Sequence, residues 1–589
     1  MSSLQIPCGG RTPGRPLQYT EGMVLFMSMI VNTVREELYA GILAALEPAV
    51  AAGQIEALPR RDFYIEVPQN RANGDLSANA ALVWAKELKL PPRKLAELIV
   101  TNLSFPSGYV ARWEVAGPGF LNFWLSPRYY ADILRDIRSQ GAAYGRSGYG
   151  HGQKINVEFV SANPTGPMHM GNARGGALGD CLAAVLDCAG YEVSREFYVN
   201  DAGNQIDKFA LSLDIRYRQH CGDTTVELPE DSYHGEDIAT LAKEFAAIHG
   251  SQYIEAPEAE RREALVTYAL PKNIQAMKDN LTKYRIFYDT WFHESSLYES
   301  GELAQTIALM QEKGLTYKQD GALWYRATEH GGEKDEVLIR ANGNPSYFAA
   351  DIAYHRNKLL LRGFDRAIDV WGADHHGHVA RMKGALDAIG LDGSRLDILL
   401  MQMVNLVRDG EVVRMSKRTG KAITLVDLLE DIPIDAVRFF FNLREPATQM
   451  EFDLDLAVEQ SAQNPVYYCQ YAHARICSIL KKLAGEGQTP RDCSIEELEL
   501  LEAPEERELI RHLSALTAEI VTAAKNYDPA RITRYCLELA ALFHRFYSAC
   551  RVNCEDAALS AARLFLCLCV KDTIKNILAM FKITVPDAM

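Results

Sequence analysis

The sequence has no paired cysteine motif and no long apolar run. Its 12 cysteines include no CxxC pair and no Cys/His cluster at zinc-ligand spacing, so we predict reduced core cysteines, no structural metal and a cytoplasmic location. The apolar stretch 23–30 is too short to cross a bilayer, and no signal-peptide cleavage site follows it. We therefore expect no membrane association.

An excess of positive charge is also missing. The chain has 62 Lys and Arg against 77 Asp and Glu, a formal net charge of -15. A nucleic acid would therefore have to bind a local basic surface. No repeat of about 20–50 residues is visible, which argues against a solenoid or propeller.

Length and pattern predict several domains, because 589 residues with 48% hydrophobic content exceed one core. We expect the chain to start at Met27 or Met29 in the native protein. The predicted units are a flexible tail (1–29), an N-terminal α+β domain (30–127), a linker rich in Gly and Tyr (128–152), a catalytic domain (153–430) and an all-α bundle (431–589).

The catalytic unit begins with a pattern typical of a βαβ motif. A strand at 155–160 leads through a Pro/Gly loop into a helix that Gly190 ends, and a second strand follows at 191–199. This predicts an α/β fold with a Rossmann-type parallel sheet. We expect a helical insertion at about 207–312, returning strands at 366–371 and 396–406, and helices alone from Asp435 onward.

The loop between the first strand and its helix has phosphate-binding character. Backbone N–H groups and the helix dipole favour an anion at such a helix start. His169 and Asn172 add hydrogen-bond donors there, and Gly171 allows close approach of a nucleotide. Taken alone, His169 is more often a helix cap or a core residue.

A second candidate segment lies about 240 residues further along. Asp409-Gly410 predicts a tight hairpin, after which Ser416, Lys417 and Arg418 form a basic loop that ends in a capping box at Thr424 and Asp427. A solvated charged turn is the alternative interpretation.

Together the two segments are far more specific. Residues 169–172, HMGN, resemble the HIGH signature of class I aminoacyl-tRNA synthetases, and residues 414–418, RMSKR, resemble their KMSKS signature. Asn172 and Arg414 depart from the usual residues. The surrounding text resembles the arginyl-tRNA synthetase family at 157–167 (VEFVSANPTGP), 198–205 (YVNDAGNQ), 347–355 (YFAADIAYH), 371–378 (WGADHHGH) and 435–438 (DAVR).

This resemblance implies an enzyme that uses ATP with Mg²⁺ to activate L-arginine and then charges tRNA(Arg), acting as a monomer. It implies catalytic roles for His169, Asn172 and Lys417. The ATP-binding residues would be Pro167, Met168, His169, Met170, Gly171, Asn172, Trp371, Gly372, Asp374, His378, Met415, Ser416 and Lys417. The arginine-binding residues would be Glu158, Ser161, Asn163, Tyr347, Asp351 and His375. Because Tyr347 and Asp351 are four residues apart, a helix would present both on one face.

The resemblance also implies two tRNA contacts. The bundle would bind the anticodon, with Tyr467, Tyr471 and Arg475 suited to stacking on bases, although aromatic core packing is the alternative. The N-terminal domain would meet the tRNA elbow through Phe120 and Asn122, where a Gly-Pro-Gly turn into an edge strand is an adequate structural account.

Two other functions are weighed against this one. A small-molecule nucleotidylyltransferase also uses an HxGH-type loop, but it would not need the basic loop or the helical bundle. A silent paralogue that only binds tRNA is suggested by Asn172 and Arg414.

Overall fold

The computed structural model describes residues 29–413, 415 and 423–589. Residues 1–28 of the predicted tail lie outside this part of the chain. Arg414, Ser416, Lys417 and Arg418 of the predicted basic loop also lie outside it. Among the described residues, no helix combines the length and the apolar character needed to span a bilayer, and all eleven described cysteines are free.

The N-terminal unit packs five helices around a four-stranded antiparallel sheet. Its strands are β1 (Ile65–Glu66), β2 (Leu76–Ala78), β3 (Val110–Ala116) and β4 (Phe120–Leu125), in the order β1-β2-β4-β3. Its helices are α1 (Met29–Ala44), α2 (Glu47–Ala51), α3 (Ala80–Trp84), α4 (Pro92–Asn102) and α5 (Pro127–Gln140). Gly74 has a φ of 98°, and a Cβ there would lie 2.6 Å from the carbonyl oxygen of Phe123, so glycine alone fits this crossing.

The catalytic unit is built on a five-stranded parallel sheet, as predicted. Its strands are β5 (Lys154–Glu158), β6 (Glu192–Val199), β7 (Thr290–His293), β11 (Arg366–Gly372) and β12 (Leu396–Met401), in the order β12-β11-β5-β6-β7. Helix α6 (Met170–Cys188) connects β5 to β6, and fourteen of its residues are buried. Because the order changes direction at β5, a crevice opens at the carboxyl ends of β5 and β11.

The helical insertion differs from its predicted bounds. Helices α7 (Asn204–His220), α8 (Glu236–His249) and α9 (Glu258–Lys283) form it, but β7 then joins the parallel sheet beside β6. The four residues of β7 are half-buried and show no clear alternation, so periodicity did not mark the strand. Helices α10 (Ser295–Glu299) and α11 (Glu302–Glu312) follow β7.

Three further elements depart from the prediction. A small antiparallel sheet, β8 (Thr316–Gln319), β9 (Ala322–Tyr325) and β10 (Glu336–Ile339), precedes α12 (Tyr347–Arg356) and α13 (His376–Ile389). The predicted strand 396–406 is divided between β12 and β13 (Val404–Arg408), which belong to different sheets. Beyond Asp435, β15 (Met450–Asp453) pairs in parallel with β13; its burial alternates over only four residues.

The predicted hairpin is confirmed. Strand β14 (Glu411–Val413) pairs antiparallel with β13, and Asp409 and Gly410 both have positive φ, at 54° and 77°, as a type I′ turn requires. The capping box at Thr424 and Asp427 is also present. The bundle contains α14 (Leu425–Asp431), α15 (Ile434–Phe441), α16 (Leu454–Val458), α17 (Pro465–Gly485), α18 (Ile495–Leu498), α19 (Pro504–Ser514), α20 (Leu516–Asn526), α21 (Ala530–Ala549) and α22 (Ala557–Met580).

A buried ion pair joins this bundle to the catalytic unit. The Arg438 guanidinium is fully buried and pairs with Asp180 of α6. It also donates to the carbonyl oxygens of Phe581 (2.7 Å) and Tyr284 (3.1 Å). Lys582 donates to the other oxygen of Asp180 at 2.8 Å. The end of the chain is thus tied to the helix that begins at His169.

Replacing Arg438 by methionine is expected to destabilise the protein by about 3–5 kcal/mol, because Asp180 would keep a buried charge without its main partner. The thermal unfolding midpoint measures this effect. Arg545→Met is the control, since Arg545 pairs with Glu538 on the exposed surface, where ion pairs stabilise little. Equal midpoints for the two variants would contradict the importance given to the Arg438 pair.

Candidate active site

A cavity of about 800 Å³ opens at the carboxyl ends of the central strands. The sequence-predicted residues that line it are Glu158, Ser161, Asn163, Pro167, His169, Asn172, Tyr347, Asp351, Trp371, Gly372, His375 and His378. Segments more than 200 residues apart thus meet in one site, since Glu158 and His378 both line it. Met168, Met170, Gly171, Asp374 and Met415 are not among the lining residues; the Asp374 side chain is 81% exposed.

The end of β5 adopts an unusual backbone. Val160 and Ser161 have φ values of 71° and 39°, in a region that costs a residue with a side chain about 1–3 kcal/mol. The turn brings the Ser161 hydroxyl back to donate to Glu158 Oε1 at 2.9 Å, while Ser161 Oγ accepts from the backbone N–H of Tyr198 at 3.1 Å. The Glu158 carboxylate is thereby held at the floor of the cavity.

The start of α6 is a capping box. Nδ1 of His169 accepts from the backbone N–H of Gly171 (3.2 Å), and Oδ1 of Asn172 accepts from that of His169 (2.9 Å). Burial lowers the pKa of His169, so the neutral ring carries its proton on Nε2. His169 Nε2 and Asn172 Nδ2 remain as donors toward an anion in the cavity. Both residues are therefore caps and candidate ligand donors at once.

The segment that follows the predicted basic loop lies beside the start of α6. Thr424 forms a β-bridge with His169, and the backbone N–H of Leu425 donates to the carbonyl oxygen of Met168 at 2.9 Å. The capping box that follows the predicted basic loop is thus attached to the start of α6. Lys417 itself lies outside the described residues.

The opposite end of the cavity is acidic. Helix α12 presents Tyr347 and Asp351 one turn apart, as predicted, with Ser346 as its N-cap. Nδ1 of His378 accepts from Arg381 Nε at 2.7 Å, so its Nε2–H donates to Asp351 Oδ2 at 3.1 Å. His378 therefore orients this carboxylate.

Sequence reasoning missed a second carboxylate at this end. Glu294 follows β7, is only 2% exposed, and accepts from the Tyr298 hydroxyl (3.4 Å) and from the Asn200 amide (3.1 Å) when that amide is oriented to donate. Burial, with a contribution from Asp351, raises the pKa of Glu294 to about 7. Because β7 was taken for part of a helical insertion, nothing in the pattern placed this residue at the sheet edge. Because the two carboxylates repel each other, they favour binding of a cation between them.

Charged side chains also underlie the floor. Lys358 is fully buried and contacts both Glu158 Oε2 and Asp369 Oδ1, the latter at 2.9 Å. Tyr354 contacts Glu158 Oε2 at 2.7 Å. The sequence analysis did not identify these residues, because a lysine in a helical segment is ordinarily a surface charge.

The residues predicted to contact tRNA lie in different surroundings in the two domains. On α17 the rings of Tyr467 and Tyr471 are stacked 6.3 Å apart, and the Arg475 guanidinium lies 4.6 Å from the Tyr547 ring. Asn122 is only 2% exposed and accepts from the Ser77 hydroxyl at 2.8 Å. Asn122 thus faces the interior of the N-terminal sheet rather than solvent, because its strand is paired on both sides; Phe120 is half-buried.

The absence of a structural metal stays a prediction. At α17, His473 and Cys477 lie close to Asp587 near the chain end. Hydrogen bonds account for this grouping: Cys477 donates to Asp587 at 3.5 Å, and His473 Nδ1 lies 3.0 Å from the carbonyl oxygen of Pro586.

Comparison with known proteins shows the family of this chain. Family models match in succession: the arginyl tRNA synthetase N-terminal domain at 36–125, the class I (R) tRNA synthetase catalytic domain at 134–477 and the DALR anticodon binding domain at 469–589. The arginine–tRNA ligase of Caldanaerobacter subterraneus is 52% identical over 96% of this chain and 100% of its own, and that of Ruminiclostridium cellulolyticum 49% identical over the same shares.

Solved structures share the fold. The arginyl-tRNA synthetase of Thermus thermophilus has a TM-score of 0.69 at 23% identity, covering 93% of this chain and 99% of that one. The methionyl-tRNA synthetase of Mycobacterium tuberculosis has a TM-score of 0.53 at 13% identity, covering 74% and 92%. The fold and the two signature segments define a class I aminoacyl-tRNA synthetase. Within that class, the chain belongs to the arginyl-tRNA synthetase family.

Arginine affinity is expected to rise with pH between about 6 and 8, because a guanidinium binds the ionised form of Glu294, whose pKa is about 7 in the free protein. Above that range the affinity should level off. Calorimetric titration with L-arginine at several pH values measures the profile. Glu294→Gln should remove this pH dependence and weaken binding by about 30-fold or more, or about 2 kcal/mol.

The control is Glu299→Gln, an exposed residue at the end of α10, which should leave the profile unchanged. An arginine affinity that falls as pH rises through 7, or a Glu294→Gln protein that binds arginine normally, would contradict the role of this carboxylate.

Proposed function

We propose how this chain performs arginine–tRNA ligation, the ATP-dependent reaction of its family. The acidic end of the cavity binds the guanidinium of L-arginine through Asp351, Tyr347 and Glu294. A guanidinium is a planar fork of five donors, which two carboxylates and a phenol oxygen can accept. The observation that carries this proposal is that Asp351 lines the same cavity as the His169 helix start, with the buried Glu294 close enough for the charge of Asp351 to raise its pKa.

The α-amino end of arginine is proposed to bind the floor. Glu158 offers a carboxylate to the ammonium, and Ser161 and Asn163 line the same wall. His375 lines the cavity beside Trp371, where it would contact the substrate between its two ends. The α-carboxylate of arginine then points toward the helix start, as attack on phosphorus requires.

ATP is proposed to bind between the start of α6 and the end of β11. Backbone N–H groups of α6 with His169 and Asn172 face the phosphates. Segment 167–172 and Trp371, Gly372, Asp374 and His378 border the nucleotide in this proposal, and Met415, Ser416 and Lys417 are also proposed to bind it. ATP enters as its magnesium complex, so Mg²⁺ is part of the substrate.

The two chemical steps need little covalent work from the protein. The arginine carboxylate attacks the α-phosphorus of ATP, which forms arginyl-adenylate and releases pyrophosphate. A ribose hydroxyl of the terminal adenosine of tRNA(Arg) then attacks the carbonyl carbon, and AMP leaves. His169, Asn172 and Lys417 act by stabilising the charge that develops on the phosphates.

The domain roles follow from this arrangement. We place the N-terminal tRNA-binding domain at 30–127, the catalytic domain at 153–430 and the anticodon-binding domain at 431–589. The linker at 128–152 begins with helix α5, which packs on the N-terminal unit. Tyr467, Tyr471 and Arg475 would stack on anticodon bases, and Phe120 would contact the tRNA elbow. A cytoplasmic monomer is part of the proposal, and the free cysteines support a reducing compartment.

Arginine-dependent ATP–pyrophosphate exchange tests this function. Exchange should require L-arginine, with and without tRNA(Arg) tested separately. Lys417→Ala should lower the rate of activation about 100-fold or more while arginine affinity changes little, because the lysine acts on charge that builds up only in the transition state. Exchange with another amino acid would contradict the substrate, and no exchange under either condition would favour a silent tRNA-binding paralogue.

Tyr471→Ala is expected to weaken tRNA(Arg) binding by about 5-fold to 100-fold, because one stacked base contributes about 1–3 kcal/mol. The KM for arginine should not change. Filter binding of tRNA measures the first effect and aminoacylation kinetics the second. Tyr317→Ala, on the small antiparallel sheet, is the control; equal tRNA affinity for both variants would contradict the stacking role.

A further inference from the structure

His355 connects the two ends of the cavity. This side chain lies in the last turn of α12 and is only 2% exposed. Its Nδ1 lies 2.7 Å from the backbone carbonyl oxygen of Asp351, and its Nε2 lies 2.7 Å from Asp369 Oδ2. Both ring nitrogens therefore face oxygen atoms.

This geometry decides the protonation of the pair. A carbonyl oxygen only accepts, so Nδ1 of His355 must donate to Asp351. If Nε2 carried no proton, its lone pair would face a carboxylate at 2.7 Å unless Asp369 were protonated. Burial raises the pKa of Asp369, but the Lys358 ammonium, 2.9 Å from its other oxygen, lowers it and favours the ionised carboxylate. The second proton therefore belongs to the imidazole.

The charge balance of the floor agrees with a protonated His355. Three carboxylates meet there, those of Glu158, Glu196 and Asp369. Lys358 pairs with two of them, and Arg362 pairs with both oxygens of Glu196. With an imidazolium the three acids face three cations, as a buried network requires. With a neutral His355, three acids would face two cations, and burial already raises the pKa of Glu158.

A continuous series of hydrogen bonds and ion pairs joins Asp351, at the guanidinium end of the cavity, to Glu158 at the floor. Asp351 is held through its carbonyl by His355, His355 by Asp369, Asp369 by Lys358, and Lys358 by Glu158. Lys358 lies in a π-helical turn, Asn357–Leu361, a form that often occurs at functional sites. This series of contacts thus sets the distance between Asp351 and Glu158.

We propose that His355 is a buried imidazolium and that His355 and Lys358 are positioning residues, which set the separation between the guanidinium end and the ammonium end of the arginine pocket and so select side-chain length. This inference rests on the proposed placement of arginine between Asp351 and Glu158. It goes beyond that placement because Lys358 is buried beneath the cavity, and His355, which lines the cavity, acts through its bonds to Asp351 and Asp369 rather than as a ligand of arginine.

The protonation is tested directly by nuclear magnetic resonance of deuterated protein labelled with ¹⁵N-histidine, at about pH 7.5. Both ring nitrogens of His355, assigned from the spectrum of His355→Gln, should show imidazolium shifts. His512 is the internal comparison: its Nε2 has a single partner, the Tyr535 carbonyl at 3.0 Å, and burial lowers its pKa. Charged groups that face His355 are Asp369 and Lys358, with the Tyr354 ring alongside. A neutral His355 at this pH would overturn the assignment.

The positioning role is tested by comparing kcat/KM for L-arginine and for L-homoarginine, which is one methylene longer. His355→Gln and Lys358→Met should reduce the preference for arginine by about 10-fold, the scale of one methylene in a well-fitted pocket, while the KM for ATP stays within about 2-fold. His512→Gln should leave the preference unchanged. An unchanged ratio with a lower overall rate in the two variants would show a merely structural role and overturn the proposal.

The resonance measurement and the kinetic comparison together distinguish a failure of this proposal from a failure of the proposed function. If the wild-type protein did not activate arginine, the proposed function would fail, whereas the resonance measurement would still decide the protonation. If Lys358→Met did not fold, the wild-type spectrum and His355→Gln would still test the inference.

Discussion

The burial of helix α6 is the constraint on which the remaining structure depends. This helix carries charges into the interior, and each must find a partner there. Arg174 donates to the carbonyl oxygens of Gln402, Glu445 and Thr448, at the base of the hairpin and before β15. Asp180 receives Arg438 and Lys582 from the bundle. The helix whose first residues face the cavity therefore also fixes the hairpin and the bundle.

Pairing of buried charge also explains the shape of the arginine pocket. At the floor, carboxylates from β5, β6 and β11 pair with Lys358 and Arg362 of the turn after α12, which partly neutralise them, while Glu158 still lines the cavity. At the far end, His378 donates to Asp351, and Asn200 and Tyr298 donate to Glu294. Among the described residues, no lysine or arginine forms an ion pair with either carboxylate. The pocket thus combines a partly neutralised floor, where Glu158 faces the ammonium, with an acidic end that a cationic side chain can neutralise.

Much of this arrangement could be predicted from sequence, and the misses have physical reasons. The βαβ unit, the hairpin turn and the capping box at Thr424 follow from local patterns, because glycine conformation and caps depend on near neighbours. Glu294 and Lys358 could not be found this way. Glu294 depends on a four-residue strand without alternation, and Lys358 depends on a π-helical turn that brings a lysine inward. Asn122 was misplaced because burial within a sheet depends on both neighbouring strands.

The central claim is that the cavity selects its substrate by the charge of a guanidinium. L-citrulline has nearly the shape of L-arginine but a neutral urea group, so comparing the two in ATP–pyrophosphate exchange tests this claim most directly. The account predicts that citrulline is activated at least about 100-fold less efficiently, as expected when Asp351 and the buried Glu294 lose the cation that they bind. Comparable activation of both amino acids would contradict it.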